Sequence, residues 1–250
     1  MGKIFLNVEN FYYPIFSMKK ITINLSFYNQ NDVLIRQVES WKSWSKEIRD
    51  QFSFCIIDDC SKTEATEVLS DIDLNDIDLS IYRVKQDLKW NIAGVRNLSG
   101  QECQTEWMVI LDMDCFVPEE TAIGMISLSE KGGNNAYKFT RRVVENNSHP
   151  KHGDPHPAIC LLRKEDYWNI GGCEEDLVGR HGFTDPSFWY RSQGKINVHI
   201  TNLPLDYYDE AEVFDSNKIN YPNRQLFEEK KRTGNWSTDF IRFEWEKVHG

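Results

Sequence analysis

The sequence predicts an α/β fold in which a mostly parallel sheet carries crossover helices, and three observations lead there. Short β-branched runs alternate with segments of helical periodicity between residues 21 and 111, the pattern of parallel strands joined through helices. Three of those runs end in polar clusters, Tyr28-Asn29, Asp58-Asp59 and Asp112-Met113-Asp114, as expected where ligands bind beyond the carboxyl ends of parallel strands. The 250 residues, 40% of them hydrophobic, suffice for one such domain with a modest appendage.

The elements follow in order. Ile21 to Phe27 is β-branched, precedes the polar turn Asn29-Gln30-Asn31-Asp32, and reads as a strand. Val33, Leu34, Val38, Trp41 and Trp44 recur at helical spacing behind Asp32, which is expected to cap that helix. Phe52 to Ile57 is a second strand, Thr63 to Leu69 a short helix, and Leu79 to Val84 a third strand. Asn91 to Cys103 is a helix, and Trp107 to Leu111 is a fourth strand running into Asp112.

Beyond that point the alternation loosens. Ala136 to Arg141, Pro157 to Arg163 and Ile196 to Ile200 read as strands, and Lys164 to Asn169 as a helix stopped by Gly171-Gly172. Thr184 to Ser192 reads as a helix capped by Thr184 or Asp185, and Asn146 to His156 as an exposed loop. After Leu203 the chain is charged and aromatic, with a helix expected from Pro222 to Arg232. The resulting division is an N-terminal arm, 1–19, a domain over 20–203 with halves meeting at 118/119, and a helical extension over 204–250. Met18-Lys19-Lys20 reads as a second start just before the first strand.

Charge narrows the function. Lys and Arg number 29 against 39 Asp and Glu, a net charge of −10, which argues against non-specific nucleic-acid binding. To hold an anionic substrate such a chain needs a divalent metal or a local Arg cluster. No apolar run approaches the roughly 18 residues of a transmembrane helix, and the first residues lack the pattern of a signal peptide. Peripheral contact with a membrane stays open. Six Cys without a CxxC pair point to a reduced, cytoplasmic protein.

Asp112-Met113-Asp114 carries the sharpest chemistry. Two carboxylates two positions apart in an extended turn can face one ligand, and Mg²⁺ or Mn²⁺ prefers such oxygens with substrate phosphates completing the shell. Asp58-Asp59 is either a solvated turn or a carboxylate that accepts from a base N–H or a ribose hydroxyl, and Ser26, Tyr28 and Asn29 could line the same pocket. Asn91 and Arg96 are either a helix cap and a surface cation or ligands of a base or diphosphate.

These landmarks occur in an order that resembles family 2 glycosyltransferases of the GT-A fold. They are Ile23-Asn24-Leu25-Ser26-Phe27-Tyr28-Asn29, Cys55-Ile56-Ile57-Asp58-Asp59-Cys60-Ser61, Ala93-Gly94-Val95-Arg96-Asn97 and Val109-Ile110-Leu111-Asp112-Met113-Asp114. Gly171-Gly172-Cys173-Glu174-Glu175-Asp176 and Gly182-Phe183-Thr184-Asp185 resemble that family's acceptor-side segment. The resemblance implies a Rossmann-like nucleotide-sugar half over 20–118 and a mixed acceptor half over 119–203. It implies inverting transfer from a nucleoside-diphosphate sugar, UDP-linked by expectation, to a hydroxyl of a glycan or other acceptor, as in polysaccharide biosynthesis. Position by position, Asp59 contacts the base beside Ser26, Asp112 faces ribose or metal, Asp114 ligates Mn²⁺ or Mg²⁺, and Asp185 is the general base. The family often has Glu-Asp where Thr184-Asp185 stands and Gly where Cys60 stands, so Glu175 or Asp176 are alternative bases.

Several residues keep two readings. His199, in a strand, is either a satisfied, partly buried histidine or a third metal ligand. His149, His152 and His156 with Asp154 form a zinc site, an acceptor-facing surface or a lid. His181 beside Arg180 either touches diphosphate or acceptor or lies in a solvated loop. Trp189 and Tyr190 are expected to pack inward, and Arg224, Lys230 and Lys231 to line a solvated helix face or cover the diphosphate. Two rival functions are a sugar-phosphate nucleotidyltransferase, which normally has a Gly-rich loop absent after Ile21 to Phe27, and a non-catalytic carbohydrate-binding module.

Overall fold

The computed structural model describes residues 19–144, 148–208 and 221–250. The expected N-terminal arm, save its last residue, and the Met18 start lie outside them, as does the stretch 145–147 of the expected histidine-rich loop. The chain runs β1 (Ile21–Phe27), α1 (Asn31–Lys42), α2 (Lys46–Arg49), β2 (Phe52–Asp58), α3 (Ala65–Val68), β3 (Leu79–Val84), α4 (Ile92–Glu102) and β4 (Trp107–Leu111). It continues through β5 (Cys115–Phe116), α5 (Glu119–Ser129), β6 (Asn135–Val143), β7 (Pro155–Arg163), α6 (Lys164–Ile170) and a 3₁₀ turn at Glu175–Leu177. α7 (Thr184–Ser192), β8 (Asn197–Tyr207), α8 (Tyr221–Thr233) and β9 (Trp245–His249) complete it.

The nine strands among the described residues join one sheet in the order β5-β8-β6-β7-β4-β1-β2-β3-β9. The β4-β1-β2-β3 half is wholly parallel, whereas β7 runs antiparallel to β4 and to β6. The parallel half is covered on both faces, so its strands are apolar almost without alternation: every residue of β4 is buried, as is all of β1 except Ser26. On one face α1 stacks Trp41 on Phe54 at 4.6 Å between ring centroids. Asn24-Leu25-Ser26 and Asn97-Leu98-Ser99 match the Asn-x-Ser glycosylation sequon, but both asparagines are buried, which removes them as modification sites.

Several expectations need correction. α1 begins at Asn31 with Gln30 as cap; Asp32 sits in the first turn, where the positive helix end favours a carboxylate. α7 is preceded by Phe183 in the left-handed region at φ 67°, so Thr184 and Asp185 open the helix instead of capping it. β8 extends to Tyr207, and the boundary drawn at residue 203 falls inside it. Pro204 hid this continuation, because proline cannot donate to a ladder; in the fold Leu205 and Tyr207 are buried and Pro204 pairs with Thr140 across β6. The extension is not purely helical either, since β9 pairs antiparallel with β3.

The C-terminal segment also packs on α4. A Cβ on Gly94 would collide with Asn91 Oδ1 and lie 2.5 Å from Phe243 Cε1. Replacing Gly94→Ala is expected to cost about 1–3 kcal/mol, as overpacking does, seen as a lower urea midpoint at unchanged m-value. A loss below about 0.5 kcal/mol, the usual surface range, would show that Phe243 does not pack there.

Candidate active site

Strand register gathers the polar ends. Phe27 lies opposite Asp58, and Leu25 opposite Leu111, so the residues after β1, β2 and β4 open at one sheet edge. Half-buried Ser26 stands there on β1 opposite Ile57. The two aspartates after β2 divide their work. Asp58 is buried and accepts from Ser61 N at 2.8 Å, Ala65 N at 3.0 Å and Arg83 Nη1 at 2.7 Å; it fixes the loop. Asp59 faces the crevice, and Asn91 Nδ2 donates to its Oδ1 at 2.8 Å. Asn91 therefore spends its side chain on Asp59 and not on capping α4. Burial pushes the Asp59 carboxyl up to about 7, opposed by the Asn91 bond and aided by Asp58 and Asp87.

Around this pocket Asn29, at φ 54°, ties two loops together: its N–H donates to Ser61 Oγ, and its Oδ1 accepts from Lys62 N at 2.8 Å. Exposed Tyr28 donates to Asp87 at 3.1 Å. Trp90 also has a left-handed backbone, φ 53°, a strain typical of functional rims, and meets the His181 ring edge-on at 4.8 Å. The Arg180-His181 loop is pinned from outside the predicted motif set. Asn223 Nδ2 lies 2.9 Å from the carbonyls of both Arg180 and Gly182, and Gly179 N donates to Lys89 O at 2.8 Å.

The centre of the site is Arg96, which is buried. Its Nη1 donates to Asp185 Oδ1 at 2.7 Å and its Nη2 to Asp112 Oδ1 at 2.8 Å. Burial alone would lower its pKa, but Asp112 and Asp185 outweigh it and hold the guanidinium well above its ordinary value. One cation thus fixes carboxylates that are distant in sequence and leaves Asp185 Oδ2 for a ligand. Met113 points the other way, into the core, and Gln37 Nε2 holds the turn by donating to Cys115 O at 2.7 Å. Asp112 and Asp114 therefore share the crevice side of an extended turn.

Asp114 is the residue that fits a cation. Its Oδ1 is buried without a hydrogen-bond partner, and an acceptor taken from water and left unpaired is costly. His156, on β7, brings Nε2 to 3.7 Å from that oxygen; its Nδ1 accepts from Ala158 N and Ile159 N at 3.2 and 3.3 Å. That assigns the ring proton to Nε2, which faces Asp114 as a donor and not as a ligand. Asp114, Cys115 and His156 place one ligand atom each within 4.8 Å of one another. But Cys115 is buried in the core cluster, where burial first, then Asp114 and Asp112, pushes its thiol far up, and a thiol is a soft donor that Mn²⁺ and Mg²⁺ do not favour. The donors left are carboxylate oxygens, which suit Mn²⁺ or Mg²⁺.

The structure separates other candidates from this centre. His199 lies on β8 eight positions before Tyr207, roughly 26 Å away along an extended strand, and Tyr207 is the residue that pairs with Cys115. Its Nε2 sits 2.9 Å from Asn135 Oδ1, and its ring stacks on Tyr137, so the metal-ligand reading of His199 is corrected. Glu175 is also withdrawn as a base: its Oε1 accepts from Asn97 Nδ2 and Ile241 N, each at 2.7 Å, and its Oε2 from Arg242 N. Asp176 pairs with Lys230 and Arg242, both at 2.6 Å. Lys230 is thus buried and paired, not solvated, and Lys231 lies 5.0 Å over the Phe227 ring. His149 and His152 accept from backbone amides and, with Asp154, stand outside the described metal-type cluster. His156, expected in an exposed loop, is buried.

Sequence reasoning missed Gln37, Asn97 and Asn223. Gln37 interrupts the apolar stripe of Leu34, Val38 and Trp41, a signal that could have been read. Asn97 satisfies both ends of its amide, donating to Cys173 O and Glu175 and accepting from Tyr167 Oη and Cys173 N.

Among known proteins, the family model described as "Glycosyl transferase family 2" matches residues 22–193. A comparison with curated proteins finds no match. Similar solved structures include S. aureus TarS 1-349 in complex with UDP-GlcNAc, 11% identical, covering 88% of this chain and 68% of that one at TM-score 0.66. Against another structure of the same TarS fragment the chain spans 60% of its length. The mannosyltransferase PcManGT from Pyrobaculum calidifontis in complex with GDP-Man and Mn²⁺ is 14% identical over 78% of this chain and 58% of that one, TM-score 0.60. GalNAc-T7 with UDP, GalNAc and Mn²⁺ is 13% identical over 77% and 44%, TM-score 0.63. At these identities the likeness is one of fold: a mixed α/β sheet of GT-A type. No described helix is long and apolar enough to cross a membrane.

The raised Asp59 carboxyl has a consequence for stability. Because the folded value of about 7 exceeds the ordinary 3.8, the fold favours protonated Asp59. Its contribution is full below about pH 4 and is lost as pH climbs to about 7. Asp59→Asn is expected to flatten this part of the stability profile and to stabilise the protein at pH 8 by about 2–4 kcal/mol. Urea unfolding at pH 5 and 8 checks it; parallel profiles for the two proteins would contradict it.

Proposed function

The chain belongs to glycosyl transferase family 2, and on that premise we propose that it moves a sugar from a nucleoside-diphosphate donor, UDP-linked, to a glycan hydroxyl with inversion and with help from Mn²⁺ or Mg²⁺. The observation that carries this reading is the juxtaposition at Arg96: a carboxylate fit to act as base, Asp185, is tied at 2.7 Å to the guanidinium that also holds Asp112, next to the unpaired oxygen of Asp114.

Asp59, with Asn91 fixing its Oδ1, accepts the N3–H of a uracil base, and Ser26, Tyr28 and Asn29 line that end. Asp112, oriented by Arg96, receives the ribose or supports the cation, and Asp114 is its direct ligand. A divalent cation bound there offsets the charge that the departing diphosphate gains. Two similar structures contain Mn²⁺ by name, and carboxylate oxygens accept either ion. In the transfer, the acceptor oxygen bonds to the anomeric carbon as that carbon's bond to the diphosphate oxygen breaks. The electron pair leaves with the diphosphate, and the hydroxyl proton passes to Asp185 Oδ2.

The test is donor turnover with a panel of UDP- and GDP-sugars in the presence of Mn²⁺, Mg²⁺ or chelator. Asp114→Ala is expected to lose metal-dependent UDP affinity, and Asp185→Asn to keep UDP affinity while turnover falls about 10²–10⁴-fold. Full turnover by Asp114→Ala under chelator would end the metal role. Sugar binding without any nucleotide binding would instead favour a non-catalytic carbohydrate module. Because a uracil N–H needs ionised Asp59, UDP affinity is expected to rise with pH up to about 7 and then level off; Asp59→Asn removes that rise.

A further inference from the structure

The chain is acidic, with 39 Asp and Glu against 29 Lys and Arg, yet one wall beside Asp185 is cationic. Lys138 and Arg141 both lie on β6. A regular strand would send residues three apart to opposite faces, but the β6 register shifts between Lys138 and Thr140, and such a bulge re-aims side chains. Lys138 is partly buried; its Nζ lies 4.8 Å over the Trp189 ring and donates to Pro157 O at 3.1 Å. The Arg141 guanidinium lies 5.5 Å over the Tyr207 ring and donates to Asp154 O at 3.4 Å. Lys151 Nζ reaches the same ring, 4.8 Å from its centroid and 2.5 Å from its hydroxyl.

Among the described residues neither Lys138 nor Arg141 has a carboxylate within 4.0 Å. Their neighbours do: Arg142 pairs with Asp206 and Glu120, and Arg163 with Asp166. Trp189 lies on α7 one turn after Asp185, and Pro157 follows His156, whose Nε2 is 3.7 Å from Asp114, so these contacts bring Lys138 to the Asp185 side of the crevice. Burial pushes its ammonium down. Partly desolvated cations without a counter-ion are costly, and an anion arriving between them would offset that cost. The sheet order sets β6 two strands from β4, on the side away from β1 and β2. The cations therefore stand on the β6 side of the sheet, away from β2 and the Asp59 pocket that follows it, the side left for an acceptor.

We infer that Lys138 and Arg141, with Lys151 against Tyr207, form a subsite for an anionic acceptor: a sugar or polyol unit bearing a phosphate or carboxylate near the hydroxyl that Asp185 deprotonates. This rests on the glycosyltransferase reading. The anion would be held by charge-assisted hydrogen bonds, typically worth more than a tenfold gain in affinity.

Calorimetric titration of the full chain, with and without UDP and Mn²⁺, against glucose, glucose 6-phosphate, glucuronate and inorganic phosphate tests it. One or both charged sugars should bind at least about tenfold more tightly than glucose, the larger gain identifying phosphate or carboxylate as the group recognised. The paired substitution Lys138→Gln with Arg141→Gln should erase that preference while UDP affinity and thermal midpoint hold, and Arg142→Gln should leave it intact. Equal binding of all three sugars, preference surviving the paired substitution, or inorganic phosphate matching the sugar phosphate would overturn the inference. So would a preference for UDP-glucuronate over UDP-glucose that vanishes in the same variant, because the cations would then read the donor sugar. Failure of UDP and Mn²⁺ to bind at all would sink the glycosyltransferase reading separately, since the sugar titrations without UDP still judge the cationic subsite.

Discussion

One buried guanidinium holds the crevice in shape. Arg96 comes from α4, Asp112 from the end of β4, and Asp185 from the start of α7, so a single charge joins three elements. Removing one partner of a buried ion pair typically costs about 3–5 kcal/mol, because the remaining charge is left uncompensated. That constraint explains why Arg96 is buried and why both carboxylates present the same edge to the crevice. It also explains the difference between Asp112 and Asp114: the first is occupied by Arg96, and the second keeps an oxygen that accepts no hydrogen bond, with His156 Nε2 still 3.7 Å away.

Next to Arg96 on the same helix, Asn97 performs the matching task with neutral groups. It links α4 to Tyr167, Cys173 and Glu175, and Glu175 passes the connection on to the backbone of Ile241 and Arg242. Glu174 accepts from Ser237 N at 3.0 Å, and Asp176 binds Lys230 and Arg242. Three consecutive acidic residues thus clamp the C-terminal segment, while Asn223 of α8 fixes the loop that presents His181 to Trp90. The extension is structurally part of the site through these packing and hydrogen-bond contacts, whereas the sequence offered it only a solvated helix face or a cover over the diphosphate at Arg224, Lys230 and Lys231.

What the sequence made legible was local. Strand periodicity, the polar ends at Asp59 and Asp112, and alternation within Asp112-Met113-Asp114 all depend on neighbours a few positions away, so β1 to β4 and the two crevice carboxylates could be read directly. What it hid depends on pairing between distant segments. His156 and not His199 approaches Asp114 because β7 runs antiparallel to β4, with Ile110 opposite Cys160; no spacing in the sequence encodes that register. Glu175 looked like a spare base because its partners, Asn97 and the amides of Ile241 and Arg242, lie far along the chain. β8 passed unnoticed through Pro204, and β9 gained its place only by adding to the β3 edge.

In the proposed reaction Asp114 is the point where a cation meets the diphosphate, with Arg96 keeping Asp112 and Asp185 in place around it. Anomalous diffraction from crystals grown with UDP and Mn²⁺ tests this most directly. The expected result is one strong manganese peak within coordination distance of Asp114 and of diphosphate oxygens, with Arg96 still bridging Asp112 and Asp185. A manganese peak at His199 or in the His149 to His152 loop, or UDP bound with no manganese near Asp114, would contradict it.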